Sequence, residues 1–155
     1  MILANREIKN HQEIENIIAK CQTCHIGFVD GEKPYVLAFN FVYDNGLIYI
    51  HTAPEGKKND ILKKNNNVCI NFDTDYEVFY RHEQVACSWG MKFRSVVANG
   101  RVEFVETDED KIKVLNLFMK KYAGRDDFKY NGPSVKNVCV MIIKIDNMTG
   151  KKYGY

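Results

Sequence analysis

The chain has 155 residues, of which 45% are hydrophobic and 27% are charged. This balance predicts one soluble globular domain over residues 1–155 and excludes disordered and fibrous classes. The formal net charge of +2 is too small to indicate a nucleic-acid-binding protein, and no apolar run is long enough to cross a membrane. We therefore expect neither nucleic acid nor a membrane as a partner.

The N-terminal residues and the cysteine count both bear on the cellular compartment. Residues 1–7 lack the apolar core and small residues of an export signal, which predicts a cytoplasmic protein. The five cysteines are an odd number, so we expect reduced thiols rather than a disulfide framework.

The first half of the chain predicts one helix followed by a β-meander. Asn10 and Glu13 have the spacing of a capping box, and apolar residues recur at helical spacing from Ile14 to Cys21. The pattern then changes to strands joined by turns that contain Asp, Asn and Gly. Three strands are predicted, over residues 26–29, 35–42 and 47–51.

The second half predicts more strands and two further helices. The isolated pair Ile61 and Leu62 lies among lysines and asparagines, which indicates a short helix. A helix starts after Thr107 and ends at Gly124, and a loop surrounds Gly132 and Pro133. The apolar stripe of the helix between Thr107 and Gly124 is predicted to be Ile112, Leu115, Phe118, Met119 and Tyr122. Strands are predicted over residues 68–72, 78–80, 93–105 with a bulge or bend at Gly100, and 138–143 as a central strand.

These elements amount to at least six strands and three helices. Hairpin turns favour antiparallel pairing, and a sheet of this size tends to close into a barrel, because closure removes its unpaired edges. The sequence therefore predicts a mainly β fold, an antiparallel barrel of six or more strands with Greek-key-like order and flanking helices.

The segment Cys21-Gln22-Thr23-Cys24-His25 has the spacing of a covalent haem-attachment motif. Haem attachment requires an export compartment, and zinc binding requires a fourth ligand that has no suitably spaced candidate. The favoured interpretation is that Cys21 ends the core stripe of the first helix, with Cys24 and His25 incidental. A redox-active pair of Cys21 and Cys24 remains an alternative.

Residues 51–58 leave a strand, cross a loop with Pro54 and Gly56, and enter a helix at Lys57 and Lys58. A helix start exposes unpaired N–H groups, and lysine supplies a compact positive charge, so this segment can hold a phosphate. The alternative is a solvated helix with its lysines on the outer face.

A third candidate site lies at Trp89, Arg94 and Ser95. The arginine fork and the hydroxyl group can complete a phosphate site, and the indole can cover an aromatic ligand. The alternative is an ordinary strand start with a tryptophan in the core.

The order of these motifs resembles the pyridoxamine 5′-phosphate oxidase-like FMN-binding split barrels, and within them the nitroimidazole-resistance branch. The resemblance covers roughly residues 10–150 and is carried by the segments 34–41, 44–53, 56–58 and 93–96 with Gly100. Ala38 stands where the nitroimidazole-resistance chains often have a second proline.

The resemblance implies a homodimer with flavin mononucleotide (FMN) in the cleft between the subunits. Lys57, Lys58 and Ser95 are implied to hold the phosphate, with Arg94 beside them, and Trp89 or Lys152 of one subunit to close the site of the other. His51 and Thr52 are implied to lie beside the flavin, and His51 to act as a catalytic proton donor or relay. The strand residues implied to line the ring are Val36, Leu37, Ala38, Phe39, Asn40 and Phe41.

The resemblance further implies an FMN-dependent oxidoreductase that reduces a small aromatic or nitro-type acceptor. NAD(P)H would dock transiently, because the chain has no dinucleotide-binding glycine motif, or a protein donor would supply the electrons. The end of the chain lacks the arginine-rich segments of a true pyridoxamine 5′-phosphate oxidase. A non-catalytic flavin- or haem-binding protein, and a dimer that has lost its cofactor site, are the alternatives.

Overall fold

The computed structural model describes residues 3–155, so Met1 and Ile2 of the N-terminal stretch lie outside the described residues. Within that range four α-helices span His11–Lys20 (α1), Lys57–Lys64 (α2), Asp108–Ala123 (α3) and Gly132–Lys136 (α4). Eight strands span Glu7–Ile8 (β1), Thr23–Asp30 (β2), Lys33–Asn40 (β3), Val42–Asp44 (β4), Leu47–Thr52 (β5), Asn67–Tyr80 (β6), Trp89–Val105 (β7) and Cys139–Tyr153 (β8). None of the described helices is long and apolar enough to cross a membrane.

All the strands belong to one antiparallel sheet. Its order is β3-β2-β6-β7-β8-β5-β4, and β1 pairs with the end of β8. Only Phe41 separates β3 from β4 along the chain, although these strands lie at opposite ends of the sheet order. The two ends of the sheet must therefore meet at Phe41, which curls the sheet into a barrel. The prediction of a mainly β antiparallel fold with flanking helices is confirmed.

The inner faces of the strands form one core. Its fully buried side chains include Ile26, Phe28, Phe41, Ile48, Ile50, Ile70, Phe72, Val96, Met141 and Ile143. Helix α1 buries Ile14, Ile17 and Ile18 against this core, and the backbone of β8 approaches α1 closely at Gly150, where a Cβ atom would lie 2.8 Å from Ile14. Each large apolar side chain buried in this way contributes about 1.5–3 kcal/mol.

Several strands are longer than predicted. The segments predicted over residues 68–72 and 78–80 are one strand, β6, whose register shifts between Thr74 and Glu77. Strand β7 begins at Trp89, and β8 continues to Tyr153. Polar residues interrupt the apolar pattern there, but backbone ladders tolerate polar side chains on a face that is open to water. The interruption predicted at Gly100 as a bulge or bend is confirmed, and the register shift between Asn99 and Gly100 shows that it is a bulge.

Two local predictions about helices are corrected. Residues 132–136 are a helix rather than a loop, because the Asn131 side chain caps Ser134 N at 2.8 Å and proline occupies the first turn. In α3 the fully buried residues are Val114 and Phe118, whereas Ile112, Leu115 and Met119 are half-buried and Tyr122 is exposed. The helix packs on the barrel along a narrow i, i+4 stripe, so the rest of its apolar surface stays open.

Candidate functional site

The cysteine motif is part of the core and does not form a cluster. Cys21 and Cys24 are 4% and 0% exposed, whereas His25 is exposed on the opposite face of β2, since successive strand residues point to opposite sides. Burial raises the pKa of Cys21 and raises the pKa of Cys24 to about 12, which disfavours thiolates. Cys24 is thus a core residue rather than an incidental one.

Strand β3 is an edge strand with two different faces. Tyr35, Leu37 and Phe39 pack against the core, whereas Val36, Ala38 and Asn40 are exposed, with Val36 at 58%. Of the residues predicted to line a ring, only the exposed three offer side chains to a ligand outside the barrel. Leu37, Phe39 and Phe41 support that surface from inside.

His51 lies at the end of β5, where it pairs with Val140 of β8. Its ring is half-buried and meets the ring of Phe118 edge to face, with centroids 4.5 Å apart. Burial lowers the pKa of His51, so the imidazole is neutral near pH 7. Its Nδ1 atom is buried and has no hydrogen-bond partner among the described residues, which leaves polar capacity unused at this position.

The loop after Thr52 is held by Asn59, a residue that the sequence analysis missed. Asn59 is 2% exposed, and its Nδ2 donates to the carbonyl oxygens of Ala53 at 3.2 Å and Pro54 at 2.6 Å. Gly56 precedes α2 with a φ of 123° and offers no side-chain cap. In the sequence, the anchoring role of Asn59 is indicated only by its position as a polar residue near the apolar pair Ile61 and Leu62.

Lys57 and Lys58 have different surroundings. The Lys57 ammonium lies 2.8 Å from the Asp30 carboxylate and 4.7 Å from the centroid of the Tyr35 ring. Lys58 is half-buried and forms no salt bridge with any carboxylate of residues 3–155. Lys58 therefore carries the less compensated charge of the two.

Arg94 belongs to a compact network at the register shift of β6. Its Nη1 lies 2.7 Å from the Asp75 carboxylate, and Lys20 reaches the same carboxylate at 3.1 Å. Burial raises the pKa of Asp75, but the hydrogen bonds from Lys20 and Arg94 outweigh it, so the pKa lies below its usual value. Tyr155 completes the network: its ring centroid lies 3.8 Å from the Arg94 guanidinium, and its hydroxyl donates to Asp75 O at 2.7 Å.

Within one chain, the segments around Lys57 and Arg94 lie at different heights along the strands, as their pairing with strand β6 shows. Phe28, two residues before the Lys57 partner Asp30, pairs with Val68 of β6, whereas Arg94 pairs with Thr74. Six residues of extended strand span about 20 Å. Lys57 and Arg94 therefore cannot contact one phosphate from the same protomer, and Ser95, next to Arg94, lies at the same distant end.

Trp89 lies on the hairpin formed by the end of β6 and the start of β7. It stacks on Tyr80 with centroids 4.6 Å apart, and its Nε1 donates to Glu83 O at 3.0 Å. Trp89 is 45% exposed, so it is not a core tryptophan. The exposed apolar side chains Tyr76, Val78, Tyr80, Trp89 and Met91 form what we call the hairpin face.

The end of α3 ties the helix to the seam of the barrel, a role that the sequence analysis did not predict. The Lys121 ammonium donates to the carbonyl oxygens of Cys21 at 3.0 Å and Phe41 at 2.9 Å. The Tyr122 hydroxyl donates to Gln22 O at 2.7 Å and accepts from Phe41 N at 3.0 Å. These bonds fix α3, and with it the Phe118 ring that faces His51.

Comparisons with known proteins agree with this architecture. Residues 10–152 match the family model described as pyridoxamine 5′-phosphate oxidase. A candidate 5-nitroimidazole antibiotic resistance protein from Bacteroides thetaiotaomicron is 41% identical, with a TM-score of 0.84 over 94% of this chain and 86% of that chain. The predicted resemblance to this family and its nitroimidazole-resistance branch is confirmed, as is the split-barrel fold.

More distant solved structures share the fold. A flavocytochrome from Azotobacter vinelandii is 18% identical, with a TM-score of 0.81 over 96% of this chain and 70% of that chain. An FAD-binding protein from Mesorhizobium loti is 19% identical, with a TM-score of 0.71 over 96% of this chain and 98% of that chain. Among curated proteins, none matches the sequence. The chain belongs to the pyridoxamine 5′-phosphate oxidase family.

Proposed function

We propose that this protein is a flavin-dependent oxidoreductase that binds FMN between two copies of the chain. The observation that carries the proposal is the contact between strand β3 and the start of α2, where the Lys57 ammonium lies 4.7 Å from the centroid of the Tyr35 ring. The outer face of β3 is exposed, and Lys58 forms no salt bridge with a carboxylate of residues 3–155. One relative named as an FAD-binding protein and another named as a flavocytochrome support a flavin of some kind.

The residues present fit FMN. Val36 and Ala38 offer a mostly apolar surface to an aromatic ring, and the Asn40 amide can bond to its polar edge. Lys58 and the backbone N–H groups at the start of α2 fit a phosphate. Lys57 can join them by exchanging its bond with Asp30 for one to the ligand.

FMN would supply the electron-transfer chemistry when bound. The protein orients the ring, excludes water from one face and handles protons. We assign the last task to His51, because burial against Phe118 keeps its imidazole neutral, so that it carries one N–H donor and one acceptor nitrogen. We propose that a small aromatic or nitro-type acceptor is reduced, with NAD(P)H or a protein as the electron donor.

The proposed dimer follows from two features of the monomer. The hairpin face exposes five large apolar side chains, as an interaction surface does. Ser95 and Arg94 lie about 20 Å from the Lys57 segment along the sheet, so they can contribute to its phosphate site only from a second subunit. We propose that the hairpin face packs on that subunit and that Trp89 covers its cofactor site.

The absorbance spectrum of the purified protein tests the cofactor proposal. We expect flavin bands in the blue and near ultraviolet, and release of FMN on denaturation. A Soret band after reconstitution would instead support haem binding, in keeping with the relative named as a flavocytochrome. The absence of both the flavin bands and the Soret band after incubation with FMN and haem would contradict both functions.

Sedimentation equilibrium of Val78→Glu tests the dimer. A charge in the middle of the hairpin face should shift the protein from dimer to monomer, because it would be buried without a partner. Val29→Glu is the matched control, since Val29 is 45% exposed but lies on β2, outside the hairpin face. A monomeric wild-type protein that binds FMN fully would contradict the interface proposal.

A further inference from the structure

A cavity of about 420 Å³ lies at the tip of the hairpin formed by β6 and β7, beside the loop of residues 81–88. We call it the hairpin cavity. Three aromatic side chains, those of Phe79, Trp89 and Tyr153, form part of its wall, and Arg81 and His82 are also lining residues. Within one chain it is separate from the surface proposed for FMN, because none of its lining residues belongs to β3 or α2.

The loop beside the hairpin cavity is held by its own hydrogen bonds. The Ser88 hydroxyl accepts from His82 N at 3.0 Å and donates to His82 O at 2.7 Å. Val85 N donates to the same His82 carbonyl oxygen at 3.0 Å, and the Trp89 indole Nε1 donates to Glu83 O at 3.0 Å. These bonds fix the wall of the cavity before a ligand binds, so binding costs little ordering of the loop.

The aromatic side chains of the wall are also held in place. Trp89 stacks on Tyr80 with centroids 4.6 Å apart and still has 45% of its surface exposed. The Phe79 ring lies against Gly90, where a Cβ atom would approach it to 2.8 Å, and its centroid lies 5.9 Å from that of Tyr153. Fixed aromatic rings around a space of this size suit a planar aromatic ligand.

Arg81 differs from other basic residues of the same hairpin in its lack of a partner. Farther along the two strands, Lys92 lies 2.8 Å from Glu77, and Arg94 lies 2.7 Å from Asp75. Arg81 is exposed and forms no salt bridge with a carboxylate of residues 3–155.

The charge of the hairpin cavity is therefore positive and uncompensated. No aspartate or glutamate of the described chain lines it. A guanidinium offers two parallel N–H donors that match the two oxygens of a carboxylate, and a bond between two charged groups is stronger than one to a neutral group. A ligand carboxylate in the cavity would supply the partner that Arg81 lacks.

We propose that the hairpin cavity binds a planar aromatic carboxylate. The rings of Phe79, Trp89 and Tyr153 contact the aromatic ring of the ligand, and Arg81 binds its carboxylate. This inference deepens the proposed function and rests on it in one respect. Because we place Trp89 over the cofactor site of the second subunit, we assign the aromatic acid as the acceptor substrate of the proposed reaction.

Fluorescence titration of the full-length protein tests the hairpin cavity directly, because Trp89 is the only tryptophan of the chain. The probes are 4-nitrobenzoate and its neutral counterpart 4-nitrobenzamide. We expect 4-nitrobenzoate to quench Trp89 and to bind at least about tenfold more tightly than the amide, because it adds a hydrogen bond between charged groups. In calorimetry, cyclohexanecarboxylate should bind about two- to tenfold more weakly than benzoate, because it lacks the planar ring.

Arg81→Gln should remove the preference for 4-nitrobenzoate and leave the affinity for 4-nitrobenzamide unchanged. Arg101→Gln is the matched control, because Arg101 is an exposed arginine of β7 outside the cavity, and this variant should keep the preference. Binding of the amide by Arg81→Gln at the wild-type affinity shows that the cavity is intact, which excludes misfolding as the cause of the loss.

Reoxidation of the photoreduced, FMN-bound protein under anaerobic conditions tests whether the aromatic acid is the acceptor. The rate of flavin reoxidation by 4-nitrobenzoate should reach half its maximum at an at least about tenfold higher concentration in Arg81→Gln than in wild type. The corresponding concentration of 4-nitrobenzamide should be the same in both proteins.

The binding proposal is overturned if 4-nitrobenzoate binds no more tightly than 4-nitrobenzamide, or if Arg81→Gln keeps the preference. The acceptor assignment is overturned if 4-nitrobenzoate binds as expected but does not reoxidise the flavin. The fluorescence titration needs no flavin, so a failure of the hairpin cavity is distinct from a failure of the protein to bind FMN.

Discussion

Two polar regions of the molecule differ in how their charged and hydrogen-bonding groups are used. At the start of α2, Lys58 lacks a salt bridge within residues 3–155, and at the nearby end of β5 the Nδ1 atom of His51 lacks a partner. At the register shift of β6, Lys20 and Arg94 share the carboxylate of Asp75, and Tyr155 stacks on the guanidinium. The first region has unused capacity for binding, whereas the second is satisfied internally.

The difference shows that positive charge alone does not identify a phosphate site. An arginine bonded to a half-buried carboxylate must give up that bond before it can bind a ligand, and the loss offsets the gain. A lysine without a partner loses only its hydration. We therefore expect changes at the start of α2 to affect mainly ligand binding, and changes around Asp75 to affect mainly stability.

The largest effect is expected from Lys57→Ala combined with Lys58→Ala. FMN affinity, measured by fluorescence quenching, should fall by about 1.5–3 kcal/mol for each charged hydrogen bond lost. Lys64→Ala, at the other end of the same helix, should bind FMN as wild type does. Unchanged affinity in the double variant would remove the phosphate assignment and, with it, the contrast between the two regions.

Asp75→Ala should lower the free energy of unfolding by about 1–2 kcal/mol at pH 7, because Lys20 and Arg94 lose their shared partner. The folded pKa of Asp75 is lowered, so this stabilisation is present above the unfolded pKa of about 3.9 and is lost as the pH falls through the folded pKa. Urea unfolding of wild type and variant at pH 7 measures the loss of stability, and the same experiment at pH 3 measures how much of the difference is lost at low pH.

The control for this variant is Asp146→Ala, which breaks an exposed ion pair with Arg101 and should change stability by less than about 1 kcal/mol. An equal effect of the two substitutions would mean that the Asp75 network contributes no more than an ordinary surface pair.

Arg94→Ala is expected to weaken FMN binding less than the double lysine variant does. Its guanidinium is held by Asp75 and lies far from Lys57 along the direction of the strands. We therefore expect any contact between Arg94 and the phosphate to be made by Arg94 of the second subunit. The loss of FMN-binding free energy should be at most about 1 kcal/mol, and fluorescence quenching measures it. A loss as large as that of the lysine variant would place Arg94 within the phosphate site.

The smallest effect is expected from the titration of His51. Its pKa is lowered by burial, so the unfolded chain binds the proton more readily, and stability falls as the pH drops from about 6.5 through the folded pKa. His51→Gln should remove this decrease while leaving stability at pH 8 nearly unchanged. Urea unfolding at pH 8 and pH 5.5 provides the comparison, and an identical decrease in the variant would assign it to another group.

Much of the fold follows from local signals. The caps at Asn10 and Thr107, the left-handed Gly124 and the bulge at Gly100 lie where predicted, because each depends on a few neighbouring residues. The extension of β8 to Tyr153 and the continuity of β6 were missed, because strand pairing recruits polar segments that have no apolar pattern of their own.

The candidate site was predictable only in part. The helix start at Lys57 and Lys58 was predicted, because a loop with proline and glycine before a lysine-rich segment is a local pattern. Asn59, Lys121 and Tyr122 were missed, because each acts through backbone carbonyl groups that the chain brings close only after folding.

The sequence by itself determined the family, the mainly β class and the basic segment after β5, because these depend on residue order and spacing. Only the tertiary structure decided which charges are free. It paired Arg94 with Asp75, buried Cys24 while exposing His25, and placed Arg81 beside the aromatic wall of the hairpin cavity. The physical reason is that compensation of a charge depends on distances between residues far apart in sequence, and strand pairing sets those distances.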